Sequence, residues 1–154
     1  MVYNNEDYLK ARISAFKFIT FKRRTIKETE DKLKSLDVKS EYIEVIIEEL
    51  VELEYLNDEV YVQKFVEKNN KLSISMIKLK LKEKGIEREL IESYFNDNIL
   101  DESDKIMQLL KKKQFSFQLS IDEQNKIKVY LLRKGFNKYD IEKVIKNLWG
   151  NEYE

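Results

Sequence analysis

Carboxylates, lysines and arginines, with a few hydroxyls, are the side chains with which this 154-residue chain could do chemistry, because it contains neither Cys nor His. A Ser-His-Asp triad, a Cys-His nucleophile pair, a Cys/His zinc site and a dithiol redox motif are all excluded. Disulfides are excluded with them. Lys22-Arg23-Arg24 holds two of the five arginines, whose planar fork suits bidentate phosphate or carboxylate contacts. The same run also fits an exposed corner of a lysine-rich chain. Lys78, Lys80 and Lys82 cannot share a helical face, since positions i and i+2 diverge by roughly 200°. Lys111-Lys112-Lys113, followed by Phe115 and Phe117, could combine phosphate contacts with base stacking, although rings packed into a core fit the pattern better. Asp97, Asp101, Glu102 and Asp104 could hold a cation, but they lack the spacing and turn glycine of a calcium loop and read as solvated acids at a helix junction. Trp149 reads as the anchor of a last helix. No constellation supports catalysis, and no cofactor is expected.

The elements that must position these residues are helices. In Ser40 to Tyr55, Ile43, Ile46, Ile47 and Leu50 recur at three- and four-residue spacing while glutamates take the other positions. Leu9, Ile13, Phe16 and Ile19 form a similar stripe, as do Tyr61, Val62, Phe65 and Val66. The alternation Ile77-Lys78-Leu79-Lys80-Leu81-Lys82 reads in isolation as a strand, but comparison of the chain with itself overrules it. Leu33-Lys34-Ser35-Leu36-Asp37-Val38 aligns with Leu81-Lys82-Glu83-Lys84-Gly85-Ile86, 48 residues later, and with Leu131-Leu132-Arg133-Lys134-Gly135-Phe136, 50 residues after that. Neither of the other copies alternates, so all three are helical. Thr25 with Glu28, and Ser120 with Glu123, fit the capping box that satisfies free N–H groups at a helix start. Gly85 and Gly135 mark helix ends, with Asp37 in the equivalent place.

The expected architecture is all-α, with three tandem three-helix repeat units stacked into an elongated, curved array. The units cover 1–56, 57–99 and 100–154, with helices near 6–22, 25–36, 40–55, 58–70, 73–84, 87–97, 102–114, 120–134 and 137–149. Phe115 and Phe117 are expected to pack back onto the third unit. The polar start of the chain lacks signal-peptide character, and no apolar run exceeds four residues against the roughly 20 that span a bilayer. A soluble, cytoplasmic protein without a membrane partner is expected.

The 29 basic and 29 acidic side chains cancel, but not locally. Residues 8–34 carry a net charge of +6, 35–63 carry −8, 64–88 carry +5, 89–104 carry −6 and 105–138 carry +7. The first two helices of each unit read as basic and the third as acidic. A basic strip could follow a phosphate backbone, and an acidic one could repel nucleic acid or dock on a basic protein surface. Solvation of surface helices would produce the same blocks.

The stretch Leu50-Val51-Glu52-Leu53-Glu54-Tyr55-Leu56-Asn57-Asp58-Glu59-Val60-Tyr61-Val62-Gln63-Lys64-Phe65-Val66 is similar to the junction L-x-x-L-G-Y-L-D-D-x-x-[FY]-A-x-x-[FY]-V of the RecX family of bacterial recombination regulators. Arg24-Thr25 with Glu28, Lys32 and Leu33 resembles the family's R-S-x-x-E-L-x-x-K-L. Ile77, Leu81, Lys84, Gly85 and Ile86 match I-x-x-x-L-x-x-K-G-I. The resemblance runs from about Tyr8 to Trp149. Glu54 replaces the junction glycine, Asn57 the first aspartate, Val62 the alanine, Thr29 a leucine and Asp37 a glycine, and the proline usual before the Arg-Ser pair is absent. The signature residues Tyr55, Leu56, Asp58, Tyr61, Phe65, Gly85 and Gly135 are packing and capping positions.

The resemblance implies a non-enzymatic regulator of homologous recombination and DNA repair. It would lie in the groove of RecA–DNA filaments and modulate, mainly inhibit, filament growth, ATP hydrolysis and strand exchange. Its partners would be the RecA filament and single- or double-stranded DNA, without a small-molecule substrate. The expected contacts on the basic helices are Arg23, Arg24, Lys27, Lys71, Lys78, Lys82, Lys128 and Arg133. Two other readings stay open: a sequence-independent nucleic-acid-binding protein acting without RecA, and a helical-repeat scaffold for another protein.

Overall fold

The structure, a computed structural model, describes residues 5–97, 101–113 and 118–150. Among these residues there are nine α-helices and no strand. They are α1 Glu6–Phe21, α2 Ile26–Ser35, α3 Ser40–Glu52, α4 Asp58–Lys68, α5 Ile74–Glu83, α6 Arg88–Asp97, α7 Ser103–Lys112, α8 Ile121–Arg133 and α9 Lys138–Trp149. The alternating lysine segment lies in α5, as the repeat required. Phe115 and Phe117 fall outside the described residues, so their expected packing does too. No helix among the described residues is long and apolar enough to cross a membrane.

Local chemistry sets the helix ends. Both capping boxes form: Thr25 with Glu28 opens α2 and Ser120 with Glu123 opens α8. Asn5 accepts the Tyr8 N–H at 2.7 Å at the start of α1, and Asn137 accepts the Tyr139 N–H at 2.8 Å at the start of α9. Gly85 and Gly135 end α5 and α8 at φ +83° and +90°. Asp37 (φ +58°) and Glu54 (φ +61°) take the same left-handed conformation with side chains attached. At Glu54 this turn closes α3 at Glu52, earlier than the expected end near 55, because the N–H groups of Tyr55 and Leu56 both return to the Leu50 carbonyl.

The chain divides into two compact units. One runs to Phe65 and takes in Leu81–Tyr94; the other holds Val66–Lys80 and the chain from Phe95 onward. Compactness therefore follows a different division from the sequence repeat. In the first unit the core is built from Ala11, Ala15 and Ile19 of α1, Leu33 of α2, and Ile43, Ile46, Ile47 and Leu50 of α3, with Leu56 beyond. The stripe expected on α1 is corrected here. Leu9 and Ile13 are 45% and 54% exposed, and the buried line is Tyr8, Ala11, Ala15 and Ile19. Alanines let the α1 backbone come close to its neighbours, so the small side chains go inside although they are the less apolar ones. In the second unit Ile106 and Leu110 of α7, Ile127 and Leu131 of α8, Phe136, and Ile141, Val144 and Ile145 of α9 form the core, with Leu119 and Trp149 packed against it.

Candidate functional site

Two helix junctions, one in each unit, use the same chemistry. In the first, the Thr25 hydroxyl at the start of α2 donates to the Lys84 carbonyl at the end of α5 at 2.7 Å. The first N–H of α2, on Ile26, donates to Asp58 Oδ1 at 3.0 Å. In the second, the Ser73 hydroxyl before α5 donates to the Lys134 carbonyl after α8 at 2.7 Å, and the Ile74 N–H donates to Glu102 Oε1 at 2.8 Å. Each junction sets a helix N-terminus against a helix C-terminus, so their partial charges attract. The glycines permit the approach. A Cβ on Gly85 would collide with the Lys27 stem, and one on Gly135 would lie 2.7 Å from the Ser73 hydroxyl oxygen.

These junctions gather six of the eight expected contact residues. Arg23 is exposed in the α1–α2 connection. Arg24 donates from Nε to the Phe18 carbonyl at 3.3 Å, with its guanidinium 4.0 Å from the centre of the Phe18 ring. Lys27 lies across Gly85 and pairs with Asp31 at 3.0 Å, which raises its pKa. Lys82 is exposed in the last turn of α5. In the second unit, Lys71 stands two residues before Ser73, and Arg133 closes α8 beside Lys134; both are exposed. The other two are placed elsewhere. Lys78 has its ammonium 5.3 Å from the centre of the Phe95 ring, and Lys128 pairs with Glu142 of α9 at 3.1 Å.

The junctions also carry acids. Burial is the main cause raising the Asp58 pKa, the Ile26 N–H opposes it, and Glu87, Glu28 and Glu30 push it further up. Tyr61, buried beside them, has its phenol pKa raised chiefly by burial, with Arg24 and Arg23 pulling it down. Lys84 lies 3.7 Å from Glu28. Sequence reasoning left out both Lys84 and Lys134, although the recurring Lys-Gly pair at 84–85 and 134–135 was the signal that could have found them. Lys113, the last of the Lys111-Lys112-Lys113 run that could contact phosphates, has its ammonium 4.5 Å from the centre of the Tyr130 ring, with that of Lys134 5.6 Å away.

Charge follows the helices only in part. α3 has five glutamates and no base, and α6 has three acids to one arginine. α9 departs from the expected acidic third helix: Lys138, Lys143 and Lys146 outnumber Asp140 and Glu142. The acids that tipped that block, Glu152 and Glu154, lie past α9 and outside the described residues. α4 is not basic either, with three acids to two lysines, and α2 is neutral, with three of each. Much of the positive charge sits instead in last turns and connections, where the C-terminal ends of helix dipoles favour it.

Of the four clustered acids in the second unit, Asp97, Asp101 and Asp104 are exposed, as expected, whereas Glu102 is buried and structural. Glu102 is 3% exposed, and its Oε1 and Oε2 accept the N–H groups of Ile74 and Asn137 at 2.8 and 2.7 Å. Lys105 donates to the Leu72 carbonyl at 2.7 Å, and burial pushes its pKa down. Asp97 and Asp104 are exposed, and Asp101 accepts the Ser103 N–H at 2.8 Å. Among the described residues no group of three acids is placed to hold a metal ion.

No family model matches the chain. It is similar to the regulatory protein RecX of Streptococcus agalactiae, at 36% identity over 85% of this chain and 52% of that protein. The regulatory protein RecX of Bacillus pumilus is 31% identical over 91% of this chain and 56% of its own length. The chain thus spans about half the length of these relatives. The crystal structure of RecX from Lactobacillus salivarius superposes with a TM-score of 0.83 at 34% identity, covering 93% of this chain and 97% of that one. A second RecX crystal structure, at 21% identity and a TM-score of 0.76, shares the fold. The regulatory protein RecX of Finegoldia magna is 32% identical over 86% of this chain and 68% of its own length, and on these likenesses the chain belongs to the RecX family.

Proposed function

We propose that this chain is a non-enzymatic, cytoplasmic regulator of homologous recombination and DNA repair. It binds RecA–DNA filaments in their groove and modulates, mainly inhibits, filament growth, ATPase and strand exchange. Membership of a family of regulatory proteins carries the reading. The segments 1–56, 57–99 and 100–154 serve in it as three repeat units. The basic residues at the junctions supply the contacts: Arg23, Arg24, Lys27 and Lys82 in one unit, and Lys71 and Arg133 in the other. Lys78 and Lys128 contribute after giving up their present neighbours. Each lysine or arginine that neutralises a phosphate releases counterions, so binding weakens with salt.

A second reading, sequence-independent DNA binding without RecA, is favoured by the same exposed cations. The two separate in an assay of RecA ATPase and strand exchange with DNA in excess. Inhibition at amounts far below the DNA supports filament binding. Inhibition only at amounts comparable to the DNA overturns it in favour of competition for DNA. Arg23→Glu is the cleanest variant, because Arg23 is exposed whereas Arg24 rests on Phe18. We expect it to weaken inhibition several-fold with an unchanged melting temperature.

A further inference from the structure

The face of α9 turned away from the core carries Tyr139, Lys143 and Lys146, at i, i+4 and i+7. Tyr139 is 76% exposed. These residues form one side of an open groove of about 530 Å³, which Gln124 and Lys128 of α8 also line together with Glu142, Ile145, Trp149 and Gly150. An aromatic ring open to solvent, two lysines in line with it within roughly 10 Å along the helix and a tryptophan in the same groove meet the requirements of single-stranded nucleic acid. Such sites pair cations that track phosphates with rings on which bases stack. A duplex keeps its base faces hidden, and an acidic peptide would use the lysines without needing the exposed ring.

The geometry points to this α8–α9 groove as a subsite for single-stranded nucleic acid, with a base stacked on Tyr139 and phosphates held by Lys143 and Lys146. Glu142 lines the same groove and pairs with Lys128 at 3.1 Å, so it opposes an incoming phosphate while keeping Lys128 engaged; Lys143 lies 3.5 Å from Asp101 and exchanges that exposed pair for the phosphate. The subsite deepens the DNA-contacting part of the proposed function and rests on it for the class of ligand. None of Tyr139, Lys143, Lys146 and Trp149 belongs to the set expected from the basic helices.

Trp149 is the chain's one tryptophan, so its emission reports on the groove. The intact protein is titrated, without RecA, with short oligothymidylate, an abasic strand of the same length, a matched duplex and a polyglutamate peptide. Binding is followed by Trp149 emission and by the anisotropy of labelled ligand. Saturable binding of oligothymidylate with a change in Trp149 emission is expected, and abasic strand should bind about tenfold more weakly, the order of one lost stacking contact. Tyr139→Ala should remove that preference. Lys146→Glu should weaken both strands, and Glu142→Gln should tighten both. Equal affinity for the abasic strand or the peptide, a preference for duplex, or variants that bind like the parent would overturn the subsite. Because RecA is absent, these results neither make nor break the filament reading, which fails or stands on RecA inhibition.

Discussion

At Asp37 and Glu54 the backbone does what glycine does elsewhere in the chain. Both residues sit at positive φ, and both are positions where the sequence departs from a glycine of the RecX pattern. A left-handed L-residue costs about 1–2 kcal/mol, less for aspartate, whose short side chain can bond locally. Glu54→Gly should therefore raise the stability by about 1 kcal/mol and Asp37→Gly by about half of that, read as a higher melting temperature. A lower melting temperature for Glu54→Gly would mean that its side chain makes a contact worth more than the strain. The Asp37 turn was legible in the sequence because it is local and recurs at Gly85 and Gly135, whereas the Glu54 turn was not, since the apolar spacing ran the helix on to 55.

Elements proved harder to read where packing rather than propensity decides. α1 has apolar residues on more than one side, and the sequence favours Leu9 and Ile13, whereas the fold buries Ala11 and Ala15. Their value comes from how closely another helix can approach, which spacing along one helix does not encode. Glu102 was read as a solvated acid for a similar reason, since its partners Ile74 and Asn137 lie 28 and 35 residues away. Each buried N–H left without an acceptor costs about 1–3 kcal/mol, so Glu102→Ala should destabilise the second unit by about 3 kcal/mol in denaturant unfolding. Glu102→Gln keeps one acceptor oxygen and should lose less. Equal losses for the two variants would show that the N–H groups find other acceptors.

The α1–α3 contact has a pH dependence of determined sign. Arg12 donates to both oxygens of Glu49, with Nε 2.9 Å from Oε2. This hydrogen bond is the main cause holding the Glu49 pKa below the usual glutamate value. The unfolded chain then binds this proton more readily than the folded one. The pair's stabilisation is present in full above about pH 4.5 and is lost as the pH falls through the lowered pKa. Asp58 has the opposite sign. Burial raises its pKa, so stability from that site declines as the pH rises through the window above the usual aspartate value. Glu49→Gln should therefore reduce acid destabilisation, and Asp58→Asn, which keeps an acceptor for Ile26, should not. Melting temperatures between pH 3 and 7 decide it.

For the molecule as a whole, a net charge of zero leaves little field to draw DNA from a distance, while exposed cations at the junctions act within the roughly 8–10 Å screening length. The alternation of charge blocks was legible in the sequence, but its helix-by-helix version failed at α2, α4 and α9. Block totals there include connections and the tail, whereas the structure shows which cations stand at helix ends. A shallow salt dependence follows for the proposed binding. With about one to three of the junction cations on phosphate at a time and the rest facing the filament protein, the slope of log K against log salt on duplex DNA should be about −1 to −3, far from the value near −10 of a protein that neutralises many phosphates. Arg23→Glu and Arg133→Glu should each flatten it by about one. If both leave the slope unchanged, the phosphate contacts lie outside the two junctions, and the α8–α9 groove becomes the place to look for them.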